Sequence, residues 1–593
     1  MVKFRRQCQE NSADPLCVNG HVDKLTSMSE NGVQSPSRSA HEAGLVSYPD
    51  EYVARYRADG LWRGRSLPDE LTDALARFAD RPGLVTPEVR WTHGELLDRA
   101  RAFGAGLLAR TGLEPGEPVM FQMGNVAETV VAYLGALIAG LRPVCTLPQH
   151  GEREIGLLAQ HVGARATIVQ ADHGTGEPLA VARALHDAGA LPVVVVARGD
   201  AIGDTPTMER LSALGATAPA PPAVDPAQIA VFQLSGGTTG LPKVAARQHE
   251  EYVHNSLAWA AALGYDGDTK LLYPLPVMHN AGIGLAVQPA ILAGAQLVLA
   301  PSARTSDLLD LIAAERPTSL PLVPPAVAVR LLEDPRSRTT DLTSIVDFVV
   351  GGQALPEEVS ERLRDELGIA VRQMFGMAEG MFLVTPAGAG EDVRHHSVGA
   401  PVSPADEVRI AEVGGDDPVA PGEIGEFCAR GPYTIRGYYR ADRHNRDSFS
   451  ADGFYRTGDL ARTHVIGGVT VYSIEGRIKD VINRGVEKIH AEEIEEVILR
   501  HPDVVSAALV AMPDPVLGER ACAYLIVDDG AEAPTVATLG EFLLGQGLAK
   551  YKLPERIEVV TEFPLSNVGK VSKKDLRERI AEQLAADQSA TAR

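Results

Sequence analysis

Ser235-Gly236-Gly237-Thr238-Thr239-Gly240-Leu241-Pro242-Lys243 follows an apolar run, Ile229-Ala230-Val231-Phe232-Gln233-Leu234, that reads as a buried strand ending in a loop. The three glycines let the backbone turn tightly with its N–H groups aimed at a bound anion. The hydroxyls of Ser235, Thr238 and Thr239 add donors, and Lys243 adds a positive charge. The stretch is therefore a candidate phosphate loop. It is not the Walker A loop, in which Gly-Lys-Ser/Thr enters a helix. Here Pro242 precedes the lysine, and Lys243-Val244-Ala245-Ala246-Arg247 reads as a second strand. A flexible Gly/Thr surface turn has the same composition, so the loop alone leaves both readings open.

The surrounding chain bounds the choice. Its 593 residues are too many for one compact domain, and 45% apolar content supplies ample core. A net charge of -22 and a pI near 5.2 lack the basic footprint of a nucleic-acid binder. The five cysteines, Cys8, Cys17, Cys145, Cys428 and Cys522, show neither metal-ligand spacing nor a disulfide framework, which suits a reducing cytoplasm. No apolar core follows Lys3, Arg5 and Arg6, so the start does not read as a signal peptide. The longest apolar stretch, Ala281 to Ala300, contains Gln288, Pro289, Gln296 and three glycines. It reads as a buried helix-turn-strand rather than a membrane span.

Residues 1–45, rich in Ser, Asn, Gly and Glu, have no apolar periodicity and are expected to be a disordered extension; Met28 offers a second start. From Leu67 onward, helical patterns alternate with short apolar runs. Glu70–Ala79 is helical, and Thr92 with Glu95 forms a capping box for the next helix. Val119–Gln122, Arg165–Val169 and Leu191–Val196 read as strands, which predicts an α/β fold with mostly parallel sheets flanked by helices. Ala216–Pro226 is a linker. Asp347-Phe348-Val349-Val350 is a strand ending at Gly351-Gly352, the kind of strand end where open α/β sheets bind ligands. A boundary is expected near Gly476–Asp480, dividing a core at 46–478 from a small, mobile α+β domain at 479–593. Glu492–Arg500 is a helix of that domain, acidic at its start and followed by Pro502.

The order of motifs carries more than any one of them. Ser235–Lys243, Phe375-Gly376-Met377-Ala378-Glu379-Gly380, Tyr455-Arg456-Thr457-Gly458-Asp459-Leu460, Gly476–Asp480 and Pro564-Leu565-Ser566-Asn567-Val568-Gly569-Lys570 together resemble the adenylate-forming superfamily. That group includes acyl-CoA synthetases, nonribosomal-peptide adenylation domains and luciferases. The resemblance spans about residues 48 to 580. With Gln233-Leu234, the pair His279-Asn280, Arg430–Tyr439 and Ile482-Asn483-Arg484-Gly485 added, the chain is most similar to stand-alone aryl-acid–AMP ligases of siderophore and antibiotic pathways, such as those for 2,3-dihydroxybenzoate and salicylate.

This resemblance implies two steps: a carboxylate attacks the α-phosphate of ATP to give an acyl-adenylate and pyrophosphate, and a phosphopantetheine thiol then displaces AMP. It further implies that Ser235, Gly236, Gly237, Thr238, Thr239, Gly240 and Lys243 hold the β- and γ-phosphates. Glu379, with Thr238, would ligate Mg²⁺, for which carboxylate oxygen is a suitable hard donor. Phe375 would stack on adenine, with Gly352, Gly376 and Met377 beside it, although Phe375 also reads as core packing. Asp459 would accept the ribose hydroxyls near Arg477. Lys570 and His279 join Glu379 as catalytic candidates, Lys570 as the mobile cation between two approaching anions. Lys479 stands at the hinge on which the small domain swings.

Asn280, Ala281, Leu285, Gly351 and Phe382 fall where the family forms its acid pocket. Asn280 resembles the position that bonds an ortho hydroxyl, though Asn is also a good helix cap. After His279-Asn280 the family continues Tyr-Pro and then serines, whereas this chain has Ala281-Gly282-Ile283-Gly284-Leu285, and Met381-Phe382 is bulkier than the usual Leu-Val. The expected substrate is therefore an ortho-substituted aromatic acid other than 2,3-dihydroxybenzoate. Val486 stands where the family has a second glycine lining the thiol tunnel. Residues 546–579 carry eight Lys/Arg against five Asp/Glu, a basic patch suited to an acidic aryl carrier protein or to the phosphates of CoA. Carrier loading and aryl-CoA ligation both stay open, as does a catalytically silent adenylate-binding protein. Neither nucleic acid nor membrane is an expected partner.

Overall fold

The computed structural model describes residues 42–174, 177–218, 223–235, 242–353, 355–484, 487–514, 517–528, 530–546, 548, 550–565 and 571–591. The expectations for residues 1–41, Gly236, Gly237, Thr238, Thr239, Gly240, Val486 and Lys570 lie outside the described residues. Two large α/β sheets are built from strands between Pro82 and Pro401. In the six-stranded sheet the order is Val193–Arg198, Ala166–Gln170, Pro118–Gln122, Arg142–Val144, Ile229–Ser235, Lys243–Gln248. All neighbours are parallel except the last pair. Every residue of Pro118–Gln122 and Ala166–Gln170 is buried, so these strands need cover on both faces. The nine-stranded sheet is parallel through its centre, with Asp347–Gly351 between Ser319–Val323 and Val371–Met377. It turns antiparallel at Met381–Val384.

Local signals explain the elements around the site. Thr92 and Glu95 make the expected capping box at the start of His93–Thr111, and Gly112 ends that helix in the left-handed region. The predicted second strand after the candidate loop is present as Lys243–Gln248 and runs straight into the helix His249–Leu263. Twelve of that helix's fifteen residues are buried, so its polar side chains must find partners inside the protein.

Ala281–Ala300 folds as the expected helix, turn and strand: Gln288–Ala293, Gly294 and Gln296–Leu299. The unforeseen part is a π-helical turn at Gly282–Val287. Gly282 fits it because a Cβ there would stand 2.3 Å from the Val277 carbonyl oxygen. π-turns recur at functional sites because the wide turn re-aims its side chains.

Tyr455–Ile466 and Val469–Arg477 form a long antiparallel pair in a four-stranded sheet. Beyond it, Ala491–Ile498 is the expected acidic-started helix, two residues shorter than predicted at its end. It packs over a five-stranded sheet whose longest pair is Val504–Asp514 with Gly518–Val527. Leu576 and Ile580 of the final helix pack on Ala508, Val510 and Met512 of that sheet.

Two buried histidines tie stability to pH. Burial, helped by the charge of Arg142, pushes His249 down to about 3, and burial pushes His254 down to about 4. Both lie below the unfolded value of about 6.5, so as pH falls the unfolded chain protonates first. Their contribution is complete above about pH 6.5 and is lost progressively toward pH 4 and below. Thermal melts should therefore show Tm falling as pH drops from 6.5 to 4, with a shallower fall for His254→Gln; an unchanged slope would assign the acid sensitivity to other groups.

Candidate active site

Ser235 and Lys243 face each other in the antiparallel register of their strands, so the candidate loop starts and ends on adjacent strand ends. Glu379 approaches this pair from the other large sheet. It lies in the tight connection between Val371–Met377 and Met381–Val384, whose register closes at Met377 and Met381. Gly380 makes the turn possible: its φ is +95°, and a Cβ would stand 1.7 Å from the Tyr433 carbonyl oxygen.

The Glu379 carboxylate is buried, at 2% exposure. Its Oε1 accepts hydrogen bonds from the hydroxyls of Ser235, Tyr438 and Tyr455, the last at 3.2 Å. Burial and the negative charge of Glu379 raise both tyrosines above their ordinary range, so they remain protonated donors. Lys243 Nζ stands 4.9 Å from the centroid of the Tyr438 ring. Burial lowers its pKa, and the Glu379 charge opposes that shift. Among the described residues no cation makes an ion pair with Glu379. Among the described residues its Oε1 is bonded by hydroxyls, and a carboxylate oxygen is the kind of donor that a hard cation takes.

A second group of residues lies one step along the same segment. Asn280 is 5% exposed; its Oδ1 accepts from Tyr252 Oη at 3.3 Å, and its Nδ2 reaches the Met377 carbonyl at 3.5 Å, the outer limit of a hydrogen bond. Gln233 Nε2 donates to Tyr252 Oη at 2.9 Å. His279 Nδ1 accepts from the Ala281 N–H at 3.3 Å. Ala281, just before the π-turn, and Leu285 within it are buried. A Cβ on Gly376 would meet the Phe382 ring at 2.6 Å, and one on Gly351 would meet Met374 at 2.6 Å. Gly352, at φ +89°, ends the strand. Phe375 packs edge-on against Phe427 at 5.3 Å and is partly exposed.

Asp459 and Arg477 are cross-strand partners with an ion pair of 3.1 Å. Lys479 follows on an exposed turn whose carbonyl accepts from Arg577 at 3.4 Å. The described residues thus bring together Ser235, Lys243 and Glu379; Asn280 and Met377; Gly376 and Phe382; and Asp459 and Arg477.

Sequence reasoning missed the residue that anchors the chain between Met377 and Glu379. Arg247 is fully buried. Its Nε and Nη2 bond both Glu251 oxygens at 2.9 and 2.8 Å, Nη1 bonds the Ala378 carbonyl at 3.0 Å, and Nη2 also reaches Asn255 Oδ1 at 3.0 Å and the Tyr433 carbonyl at 3.1 Å. The available signal was an arginine ending an apolar strand with a glutamate four residues on. Tyr438 and Tyr455 fall inside the motifs, which assign them no role.

A family model described as AMP-binding enzyme matches residues 71–439, and one described as AMP-binding enzyme C-terminal domain matches 493–570. The chain belongs to the AMP-binding enzyme family. It is 38% identical to a 2,3-dihydroxybenzoate-AMP ligase of Bacillus subtilis, over 92% of this chain and 99% of the relative. It is also 38% identical to a salicylyl-CoA synthase / salicylate adenylyltransferase of a Streptomyces species, over 90% and 97%. The apo structure of MbtA from Mycobacterium smegmatis aligns with a TM-score of 0.68 at 34% identity, covering 90% of this AMP-binding enzyme and 99% of that chain. The mixed α/β class with large parallel sheets agrees with these relationships. No helix among the described residues is long and apolar enough to cross a membrane.

Removing Arg247 leaves Glu251 buried and unpaired. Arg247→Met should lower unfolding free energy by ~3–5 kcal/mol in urea titrations. Arg247→Met with Glu251→Leu should recover much of that stability, yet adenylate formation should stay low because Ala378 and Tyr433 lose their anchor. A single variant as stable as the parent would remove Arg247 from this role.

Proposed function

We propose that this enzyme is a ligase that uses ATP to activate an ortho-substituted (hydroxy or amino) aromatic carboxylic acid as its adenylate, releasing pyrophosphate, and then loads the acyl group onto the phosphopantetheine thiol of an aryl carrier protein in siderophore or peptide-antibiotic biosynthesis. The observation that carries this reading is the joining of two chemistries on one segment. Glu379, held by hydroxyls beside Lys243, suits the phosphate end, and Asn280, under the Met377 carbonyl two residues earlier, suits the acid end. Family membership and the two relatives named for aryl-acid adenylation support it.

In the first step an acid oxygen attacks the α-phosphorus and the bond to the β-phosphate breaks. The reacting anions repel, and Lys570 supplies the positive charge that offsets this as they meet, while Lys243 with Ser235 and Gly236–Gly240 steadies the leaving pyrophosphate. Phe375, Gly352, Gly376 and Met377 flank the adenine, and Asp459 takes the ribose hydroxyls with Arg477 beside it. Glu379 and Thr238 would hold Mg²⁺, which neutralises phosphate charge when bound. Asn280 offers Nδ2, engaged only at 3.5 Å, to the ortho substituent in a pocket shared with Ala281, Leu285, Gly351 and Phe382, and the adjacent His279 is a further catalytic candidate.

In the second step the thiol sulfur attacks the acyl carbon and AMP leaves. Residues 479–593 form the domain that swings about Lys479 between the steps. The reducing cytoplasm suits a thiol acceptor and the free, buried Cys145, Cys428 and Cys522. A second reading, transfer to free CoA, is favoured by the salicylyl-CoA name of the Streptomyces relative.

ATP–pyrophosphate exchange over a panel of aryl acids tests the proposal. Salicylate or another ortho-substituted acid should exceed benzoate, 2,3-dihydroxybenzoate and fatty acids; best activity with 2,3-dihydroxybenzoate or a fatty acid would contradict it. Lys570→Ala should lower exchange on the order of 10²–10³-fold and Lys243→Ala by less. Asn280→Ala should cost roughly tenfold or more in kcat/KM for salicylate and little for benzoate. Thioester yield with carrier against CoA then identifies the acceptor.

A further inference from the structure

The His249–Leu263 helix carries one buried amide whose donor side is unclaimed. Asn255 has no exposed surface. Its Oδ1 accepts from Arg247 Nη2, and because arginine only donates, this contact fixes the amide's orientation and turns Nδ2 the other way. Among the described residues Nδ2 has no hydrogen-bond partner. It faces the π-turn at Gly284: a Cβ placed there would stand 3.6 Å from Asn255 Nδ2 and 3.7 Å from Phe382 Cζ. Glycine leaves that space open between an amide donor and an aromatic edge.

The space belongs to the acid pocket by geometry. Asn280 and Gly284 are four residues apart on one helical segment, and Tyr252 and Asn255 are three apart on the facing helix, so each pair lies on one face. Tyr252 bonds Asn280, and Asn255 stands against Gly284, about one helical turn or ~5 Å deeper. Phe382 lies against both glycines, with Cδ1 and Cε1 beside Gly376 and Cζ and Cε2 beside Gly284. Its ring also abuts Trp259 at 5.7 Å, which closes the far side. An aromatic acid whose ortho group meets Asn280 spans the distance to Asn255 with the width of its ring.

We infer that Asn255 Nδ2 and Gly284 form a deep subsite for a hydrogen-bond acceptor, such as a ring nitrogen or an ether or carbonyl oxygen, on the ring edge remote from Asn280. This rests on the aryl-acid reading above. A buried amide N–H₂ with no partner is costly, so the pocket favours an acid that fills the subsite with an acceptor over one that fills it with carbon.

Isosteric acids test the inference: salicylates carrying methoxy or ethyl at ring positions 3, 4 and 5, compared by kcat/KM in pyrophosphate exchange. At one position the methoxy acid should exceed its ethyl counterpart by about tenfold or more. Asn255→Leu should bring that ratio close to one. Gly284→Ala, away from the Arg247 contact, should lower both substituted acids relative to salicylate and decides the matter should Asn255→Leu fail to fold. Equal methoxy and ethyl activities at all three positions, or a ratio unmoved by Asn255→Leu, would overturn the inference, as expected where a buried water satisfies Nδ2. Substituted acids that keep their activity relative to salicylate in Gly284→Ala would overturn it equally. Loss of the subsite preference with salicylate still active leaves the aryl-acid reading standing; no exchange with any ortho-substituted acid removes that reading and the subsite with it.

Discussion

A single buried guanidinium holds the site together. Arg247 sits where a strand of one large sheet passes into a helix, and it bonds that helix, the segment leading to Glu379 and the segment leading to Tyr438. Each of these chain segments would otherwise present a buried polar group without a partner. The desolvation of an arginine is offset only when its fork is fully satisfied, so the five acceptor oxygens, on four residues, must converge closely. The requirement fixes one arrangement of three segments that come from distant parts of the chain.

The chemical division of the site follows from that arrangement. Ala378 is anchored through its carbonyl, so its neighbours on either side are held as well: Glu379 toward the hydroxyls of Ser235, Tyr438 and Tyr455, and Met377 toward Asn280. The proposed phosphate end and the proposed acid end are thus two residues apart on a turn with little freedom, because Gly380 is pressed against the Tyr433 carbonyl. Catalysis that depends on bringing two anions together benefits from such fixed geometry, since the groups need not reorganise as charge builds.

Much of this was legible in the sequence where it depended on local pattern. The strand before Ser235, the strand after Lys243, the Thr92–Glu95 cap and the helix-turn-strand at Ala281–Ala300 each announce themselves within a few residues. Glu379 and Asn280 stood out through their motif neighbours. Arg247 did not, because its partners are up to 186 residues away and nothing in a five-residue apolar strand states what its last side chain will meet. Tyr438 and Tyr455 were hidden for the same reason: their meeting at Glu379 is a property of the tertiary fold. The π-turn was equally invisible, since Gly282 and Gly284 in a helical pattern read as weak helix rather than as space for a carbonyl and for Asn255.

The most direct test of the account is a crystal structure with a sulfamoyl-adenosine analogue of salicyl-AMP bound. The ortho oxygen of the ring should lie within hydrogen-bond distance of Asn280 Nδ2, the sulfamoyl group should lie on the Glu379 side of Met377, and Arg247 should keep all its contacts. A ring bound away from Asn280, or an Asn280 still turned to the Met377 carbonyl with the analogue in place, would contradict it.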